Sequence, residues 1–145
     1  MKNKFTILIF LLFTAYLAAL IKLLVFKYPP AMTFEIANGN YIPFKTILNY
    51  LGVLPESNIA IRNLGGNLAL FIPLGFFAPL LRRSSGWKSV LIIALVISAA
   101  LEITQGIFQV GVFDLDDILL NVLGALLGYV IFVCVKFLTK KCLTS

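Results

Sequence analysis

The sequence predicts an all-α transmembrane protein, a four-helix membrane bundle with a short extracytoplasmic interfacial helix between the first and second spans. Apolar residues make up 61% of the 145 residues and charged residues only 12%, whereas soluble domains are about 45–50% apolar and about 25% charged. The apolar residues also fall into long runs, each near the ~20 residues that cross a bilayer. At this length we predict one domain, 1–145, with spans at about 5–26, 63–81, 89–106 and 116–136.

The first apolar run begins after Lys2 and Lys4 and continues to about Phe26. An N-terminal signal peptide begins similarly, but its apolar core is only ~7–15 residues long. This run is longer, and further apolar residues follow Ala18-Ala19. We therefore predict a retained transmembrane helix.

The connection between the first two spans contains the predicted interfacial helix. Pro43 suits the first helical position because its ring fixes φ, and Pro55 ends the segment. An apolar stripe lies between them at helical spacing, formed by Phe44, Ile47, Leu48 and Leu51. Such a helix lies flat on a membrane; an ordinary loop helix packed on the bundle is the alternative.

The last three spans each carry polar or small residues on one helical face. These are Asn63 and Asn67 on the second span, Ser98, Glu102 and Gln105 on the third, and Asp117, Asn121, Gly124 and Gly128 on the fourth. The Gly124-x-x-x-Gly128 spacing favours close helix packing, either within the bundle or against a second copy in a homo-oligomer.

The basic residues predict the orientation of the spans. With four spans, one side of the membrane collects most of them: Lys2, Lys4, Arg82, Arg83, Lys88, Lys136, Lys140 and Lys141. Cytoplasmic loops carry an excess of Lys and Arg. We therefore predict a multi-pass plasma-membrane protein with both termini in the cytoplasm, and with the segments 28–61 and 107–115 facing outward.

The segment from Glu102 to Asn121 holds four of the six acidic residues: Glu102, Asp114, Asp116 and Asp117. Carboxylates next to hydrocarbon are costly, so they are functional candidates by default. In the predicted orientation they lie at the extracytoplasmic surface of the membrane, together with the amides of the second and third spans.

Composition also excludes several classes of function. The chain has no histidine, which removes imidazole general bases and histidine-type zinc sites. The net charge of +6 comes from residues at the ends of apolar runs, so it indicates membrane topology and no nucleic-acid partner.

Three motifs together resemble the VanZ-like family of teicoplanin-resistance-associated membrane proteins. They are Gly66-Asn67 with Phe71, Pro73 and Gly75; Glu102-x-x-Gln105; and Phe113-Asp114-Leu-Asp116-Asp117 followed by Asn121 and Gly124. Asn40-Tyr-Ile-Pro43-Phe44 matches a further family element upstream, so the resemblance spans about residues 38–132. Many family members carry an arginine just before the Phe-Asp-x-Asp-Asp segment, where this chain has Gly111-Val112.

The resemblance implies a polytopic bacterial membrane protein whose namesake is associated with resistance to teicoplanin and related lipoglycopeptides. We expect the outward-facing residues to bind an envelope lipid, a lipid-linked cell-wall precursor or a lipoglycopeptide. The candidate ligand-binding residues are Asn63, Asn67, Gln105, Asp114 and Asn121.

Two other readings of the same residues remain open. The first is a metal-assisted or acid–base enzyme acting on a lipid-linked envelope substrate, with Glu102, Asp116 and Asp117 as candidate catalytic carboxylates. Oxygen ligands suit Mg²⁺, Mn²⁺ or Ca²⁺, and the candidate metal ligands are Glu102, Asp114, Asp116 and Asp117. In the second reading, the polar side chains only hold the helices together by interhelical hydrogen bonds.

Overall fold

The computed structural model describes residues 2–25, 39–81, 86–108 and 111–143. The predicted end of the first span at about Phe26 and the basic pair Arg82-Arg83 lie outside these residues. Within the described part of the chain every regular element is a helix, so the all-α prediction is confirmed there. The elements are α1 (Lys2–Val25), α2 (Lys45–Leu51), α3 (Asn58–Leu81), α4 (Trp87–Ile107) and α5 (Leu115–Leu143).

In the described part of the chain, three helices are long and apolar enough to cross a membrane: Asn58–Leu81, Trp87–Ile107 and Leu115–Thr139. The apolar stretch of α1, Ile7–Leu23, is shorter. Large apolar side chains are exposed on every one of these helices, including Leu11, Ile59, Ile92 and Val130. A surface of this kind is compatible with surrounding hydrocarbon, where helices satisfy their own backbone groups.

The helix ends differ from the predicted spans at two places. α3 begins at Asn58 and α5 continues to Leu143, whereas hydropathy placed the limits of these spans at 63 and 136. Hydropathy marks the segment that is apolar enough for the membrane interior, but polar residues and lysines continue a helix beyond it.

α3 and α5 are in backbone contact through glycines. A Cβ on Gly124 would overlap the carbonyl oxygen of Leu68, and a Cβ on Gly128 would overlap that of Ile72. The two contacts advance in the same direction along both helices, so α3 and α5 run parallel. The Gly124-x-x-x-Gly128 motif therefore packs inside the chain, as one of its two predicted alternatives required.

α1 is tied to α3 at the turn that contains a proline. Pro73 lies inside α3 and has no backbone N–H to donate. The hydroxyl of Tyr16 donates to the carbonyl oxygen of Leu70 at 2.6 Å, within the same turn. Pro73 leaves the carbonyl of Ala69 without its helical donor, and the bond from Tyr16 ties α1 to the next carbonyl of the same turn.

The loop before α2 is held against the start of α5 by one carboxylate. Both oxygens of Asp116, which is fully buried, accept backbone N–H groups: that of Phe44 at 2.6 Å, of Thr46 at 2.8 Å and of Ile47 at 3.1 Å. Phe44 has a left-handed backbone with φ of 66°, which few non-glycine residues adopt. The helix was predicted to begin at Pro43, but it begins at Lys45, after the left-handed Phe44, and the amides of Thr46 and Ile47 in its first turn point to this carboxylate.

A second connection lies beside the first. The backbone N–H of Asn40 donates to the carbonyl of Phe113 at 2.8 Å, and the N–H of Leu115 donates to the carbonyl of Asn40 at 3.0 Å. These bonds form an isolated parallel bridge between Asn40 and Asp114. The loop that follows residue 38 and the loop that precedes α5 therefore form one rigid unit over the ends of α3, α4 and α5.

We predict that Asp116→Asn destabilises the protein by about 1–3 kcal/mol, because the amide group places a donor opposite at least one buried backbone N–H. Chemical unfolding of the purified protein in detergent measures this change. The exposed Glu56→Gln is the matched control and should unfold like the unchanged protein. Equal stability of the Asp116 and Glu56 variants would contradict the anchoring role of Asp116.

We also predict opposite effects for two glycine-to-alanine changes. Gly124→Ala forces a Cβ against the backbone of α3 and should cost about 1–3 kcal/mol of stability. Gly65→Ala meets nothing within 4 Å, and it should stabilise by about 0.5–1 kcal/mol because alanine favours the helix. The melting temperatures of the two variants test this difference; if Gly124→Ala melts no lower than Gly65→Ala, the backbone contact of α3 with α5 is wrong.

Candidate functional site

Seven polar residues are buried in the described part of the chain, and all lie toward the same end of α3, α4 and α5. We call them the polar cluster: Asn67, Ser98, Glu102, Gln105, Asp116, Asp117 and Asn121. Each is at most 9% exposed. Sequence spacing predicted the shared helical faces, and the burial of these residues is in accord with it. Three of the seven are carboxylates, and none is basic.

Glu102 connects the end of α4 to the loop before α5. Its Oε2 accepts the backbone N–H of Asp114 at 3.0 Å. Glu102 is only 3% exposed, so this carboxylate is enclosed by protein and is not free on the surface. A charged acceptor makes a stronger hydrogen bond than a neutral one, which fixes the loop relative to α4.

Asp114 lies at the outer edge of the polar cluster and is half-buried. Its Oδ1 accepts the side-chain N–H of Asn40 at 2.9 Å and the backbone N–H of Asp116 at 2.8 Å. The amide of Asn40 also donates to the hydroxyl of Thr46 at 3.0 Å. Asp114 therefore joins the α5 start to the loop before α2, and of the four predicted carboxylates it is the most accessible.

Asn40 and Thr46 are polar contacts that the sequence-based site did not include. Asn40 was noted only as part of a family element, while Thr46 had no assigned role. Asn40 also accepts the backbone N–H of Ile42 with its Oδ1 at 3.1 Å, so its single side chain orders the whole turn. The signal available in the sequence was an Asn in a turn, which commonly bonds nearby backbone.

Asn63 lies apart from the bonds just described. Its side-chain amide donates to the hydroxyl of Tyr50 at 2.7 Å, and it is half-buried. The bond ties the end of α2 to the second turn of α3. Asn63 thus positions α2, whereas Asn67, one turn further along the same helix, lies in the buried interior.

The deepest members of the polar cluster link α4 with α5. The amide of Asn121 donates to the hydroxyl of Ser98 at 2.8 Å. Two atoms at this level have no hydrogen-bond partner: Nδ2 of Asn67 and Oδ1 of Asn121. Polar atoms buried in this way normally find a partner.

Two aromatic rings stand beside the Asn40–Asp114 bridge. Tyr41 stacks on Phe113 with ring centroids 5.2 Å apart and an interplanar angle of 19°. Tyr41 is 54% exposed. The outer rim of the site therefore combines a half-buried carboxylate with an exposed aromatic face.

The geometry gives no support to a divalent cation held by the four predicted carboxylates. In the residues described, no three or more Asp, Glu or Cys side chains are grouped as ligands of one metal ion. Asp116 in particular directs both oxygens to backbone N–H groups. The rim of the site offers hydrogen-bond acceptors and amides to a ligand. The deeper carboxylates hold the loops in place.

Comparisons with known proteins agree on the relationship of this chain. A curated relative, Protein VanZ of Enterococcus faecium, is 28% identical over 121 residues, which covers 81% of this chain and 68% of that protein. No solved structure matches. The sequence model of the VanZ/LLP1 family matches residues 13–137, most of the chain. The polar cluster and the loops that cover it all lie within that match, and the chain belongs to the VanZ/LLP1 family.

Proposed function

We propose that this protein spans the bacterial plasma membrane several times and binds a cell-envelope molecule at the outer end of its polar cluster. The ligand classes are an envelope lipid, a lipid-linked cell-wall precursor or a lipoglycopeptide. One observation carries the proposal: an apolar helical protein buries three carboxylates and three amides at one end, directly beneath a loop fixed by those carboxylates. Ionisable residues in such a setting are functional candidates.

The directions of the helices support a topology of four spans. α3 and α5 run parallel. α4 is antiparallel to them, since Ser98 pairs with Asn121 whereas Glu102, further along α4, pairs with the earlier Asp114. If α1 also crosses, both termini lie on the side that collects Lys2, Lys4, Lys88 and Lys136, which is the cytoplasmic side by the positive-inside rule. The polar cluster then faces outward.

The exposure of α2 supports a helix that lies at the outer surface of the plasma membrane. None of its residues is buried. Phe44, Leu48 and Leu51 are each more than half exposed, and Lys45 is exposed beside them. An apolar face next to a cation is typical of helices that rest among lipid headgroups. In that position the rim formed by Tyr41 and Asp114 is at the depth of headgroups.

The rim is the part of the site that a ligand reaches first. Asp114 is half-buried and Tyr41 is exposed, whereas Glu102, Gln105 and Asp117 lie underneath. A carboxylate beside an aromatic face accepts hydrogen bonds from hydroxyl or ammonium groups and packs against an apolar surface. Envelope lipids, precursors and lipoglycopeptides all combine such polar groups with a hydrocarbon chain. The family association with teicoplanin resistance supports the same range of ligands.

We predict that Glu102→Gln and Asp117→Asn lower teicoplanin tolerance in a susceptible bacterial host that expresses the protein, at unchanged membrane abundance. Glu102 holds the backbone of the rim residue Asp114. Losing this charge-assisted bond, worth about 1.5–3 kcal/mol, should displace the rim and weaken teicoplanin binding to the protein in nanodiscs by roughly tenfold or more. Immunoblots of membranes measure abundance, and Glu56→Gln is the matched carboxylate control.

Two outcomes of that comparison would overturn the proposal. If tolerance falls only in proportion to abundance, the carboxylates serve to hold the helices together. If tolerance and binding remain at the level of the Glu56→Gln control, the polar cluster is not the binding site. Metal-independent turnover of a lipid-linked precursor, lost in the same two variants, would instead support acid–base catalysis.

The topology makes its own prediction. Reporter fusions joined at Ser57 should report the extracytoplasmic side, and fusions joined at Ser84 the cytoplasmic side, because α3 separates the two positions. Alkaline phosphatase, which is active only outside the cytoplasm, and β-galactosidase, which is active only inside it, provide the readout at each site. The reverse pattern would place the polar cluster at the cytoplasmic surface and contradict binding from outside.

A further inference from the structure

Two buried amides each leave one polar atom unsatisfied in the interior of the bundle. Asn67 on α3 is 2% exposed and Asn121 on α5 is 1% exposed. Nδ2 of Asn67 and Oδ1 of Asn121 have no hydrogen-bond partner, although the other end of Asn121 donates to Ser98. A buried polar atom without a hydrogen-bond partner destabilises the fold. One atom is a donor and the other an acceptor, so their requirements are complementary.

The two side chains lie at nearly the same level of adjacent helices. Asn67 immediately precedes Leu68, and Asn121 lies one turn before Gly124, which contacts Leu68. With a rise of 1.5 Å per residue, the parallel helices place the two positions about 3 Å apart along their axes. A molecule held between them is therefore within reach of both amides.

The distance between α3 and α5 is fixed close to the two amides. The backbones are in contact at Leu68 and at Ile72, where a Cβ on Gly124 or Gly128 would overlap a carbonyl oxygen. At this distance neither Nδ2 of Asn67 nor Oδ1 of Asn121 has a hydrogen-bond partner. A third group between the helices would satisfy both atoms.

We propose that Asn67 and Asn121 bind one buried hydroxylic molecule, a water molecule, between α3 and α5. Its oxygen accepts the N–H of Asn67, and its own O–H donates to Oδ1 of Asn121. A single oxygen that both donates and accepts meets both needs, and buried waters commonly bind to otherwise unsatisfied polar groups. If the O and N atoms of one amide are exchanged, the two unsatisfied atoms become two donors or two acceptors. One water molecule can accept from two donors or donate to two acceptors, so the site remains the same.

This site differs in kind from the ligand site proposed above. It lies at the inner end of the polar cluster, beneath Glu102 and Asp117, and it needs no molecule from the cell envelope. The chain Ser98–Asn121–water–Asn67 joins α4, α5 and α3 at one level. Asn67 and Asn121 thereby act as positioning residues for the helices that carry the carboxylates.

Water-edited solid-state NMR of the full-length ¹⁵N-labelled protein in phosphatidylcholine bilayers tests the proposal. This lipid has no hydroxyl group, so water is the hydroxylic molecule present. We expect magnetisation to pass from water to the side-chain N–H₂ of Asn67 several-fold faster than to the backbone N–H of Ala94, which lies fully buried in the apolar core. The exposed side chain of Asn49 provides the upper reference.

A transfer to Asn67 as slow as that to Ala94 would overturn the proposal. Addition of phosphatidylglycerol separates the two sources of a hydroxyl group. Unchanged transfer from water supports the water site, and replacement of that transfer by contacts from the glycerol protons assigns the site to a lipid hydroxyl and overturns it. The measurement in phosphatidylcholine alone uses no envelope ligand, so its result does not depend on the proposed function, and failure of the resistance experiment leaves it standing.

Asn121→Leu provides the matched perturbation. Leucine removes the acceptor and fills space, so water transfer to Asn67 should fall to the level of Ala94 while the Asn67 amide remains. Unchanged transfer would show that the water does not contact Asn121. Ser98→Ala, which leaves Oδ1 of Asn121 in place, should keep the fast transfer; the measurement on the unchanged protein decides the proposal even if the leucine variant does not fold.

Discussion

The covering loops depend on the hydrogen bonds between the carboxylate of Asp116 and the backbone of residues 44–47. A buried charge is tolerated only where fixed dipoles replace the water it has lost, and here three peptide N–H groups do so. These hydrogen bonds also stabilise the backbone that donates them, since they hold the left-handed conformation of Phe44, the residue just before α2. The local conformation of one segment is thus set by a side chain more than sixty positions away. The start of α2 therefore depends on a buried carboxylate that belongs to α5.

Much of the helical framework follows from the sequence because it depends on short-range patterns. The period of 3.6 residues put Ser98, Glu102 and Gln105 on one face, and all three are buried. The same reasoning put Asp117, Asn121, Gly124 and Gly128 together, and these are buried as well. Apolar residues elsewhere could be lipid-facing or core, so polarity was the more informative signal. In a membrane bundle, a polar residue on a regular face indicates the interior.

The loops were harder to predict because their conformation depends on distant partners. Pro43 fits a helix start, yet the amides after it turn toward Asp116 and α2 begins two residues later. Asn40 resembles an ordinary turn residue, but it bonds Asp114, Thr46 and the backbone of Phe113. The metal-ligand prediction treated four acidic residues as equivalent acceptors. In the structure, backbone N–H groups bind the carboxylate oxygens that a metal ion would need. The spacing of the acidic residues along the chain does not reveal which distant N–H groups bind them.

The parallel contact between α3 and α5 also constrains how the protein is made. The residues of α3 that meet Gly124 and Gly128 lie fifty-odd positions upstream, and α4 comes between them in the chain. During synthesis, α3 therefore leaves the ribosome well before the surface that covers its polar face exists. Until α5 is made, the face of α3 that carries Asn67 lacks the helix that packs against it. Because α5 is translated after α3 and α4 and completes their core, a ribosome that stops before residue 128 leaves an amide-bearing helix without its partner.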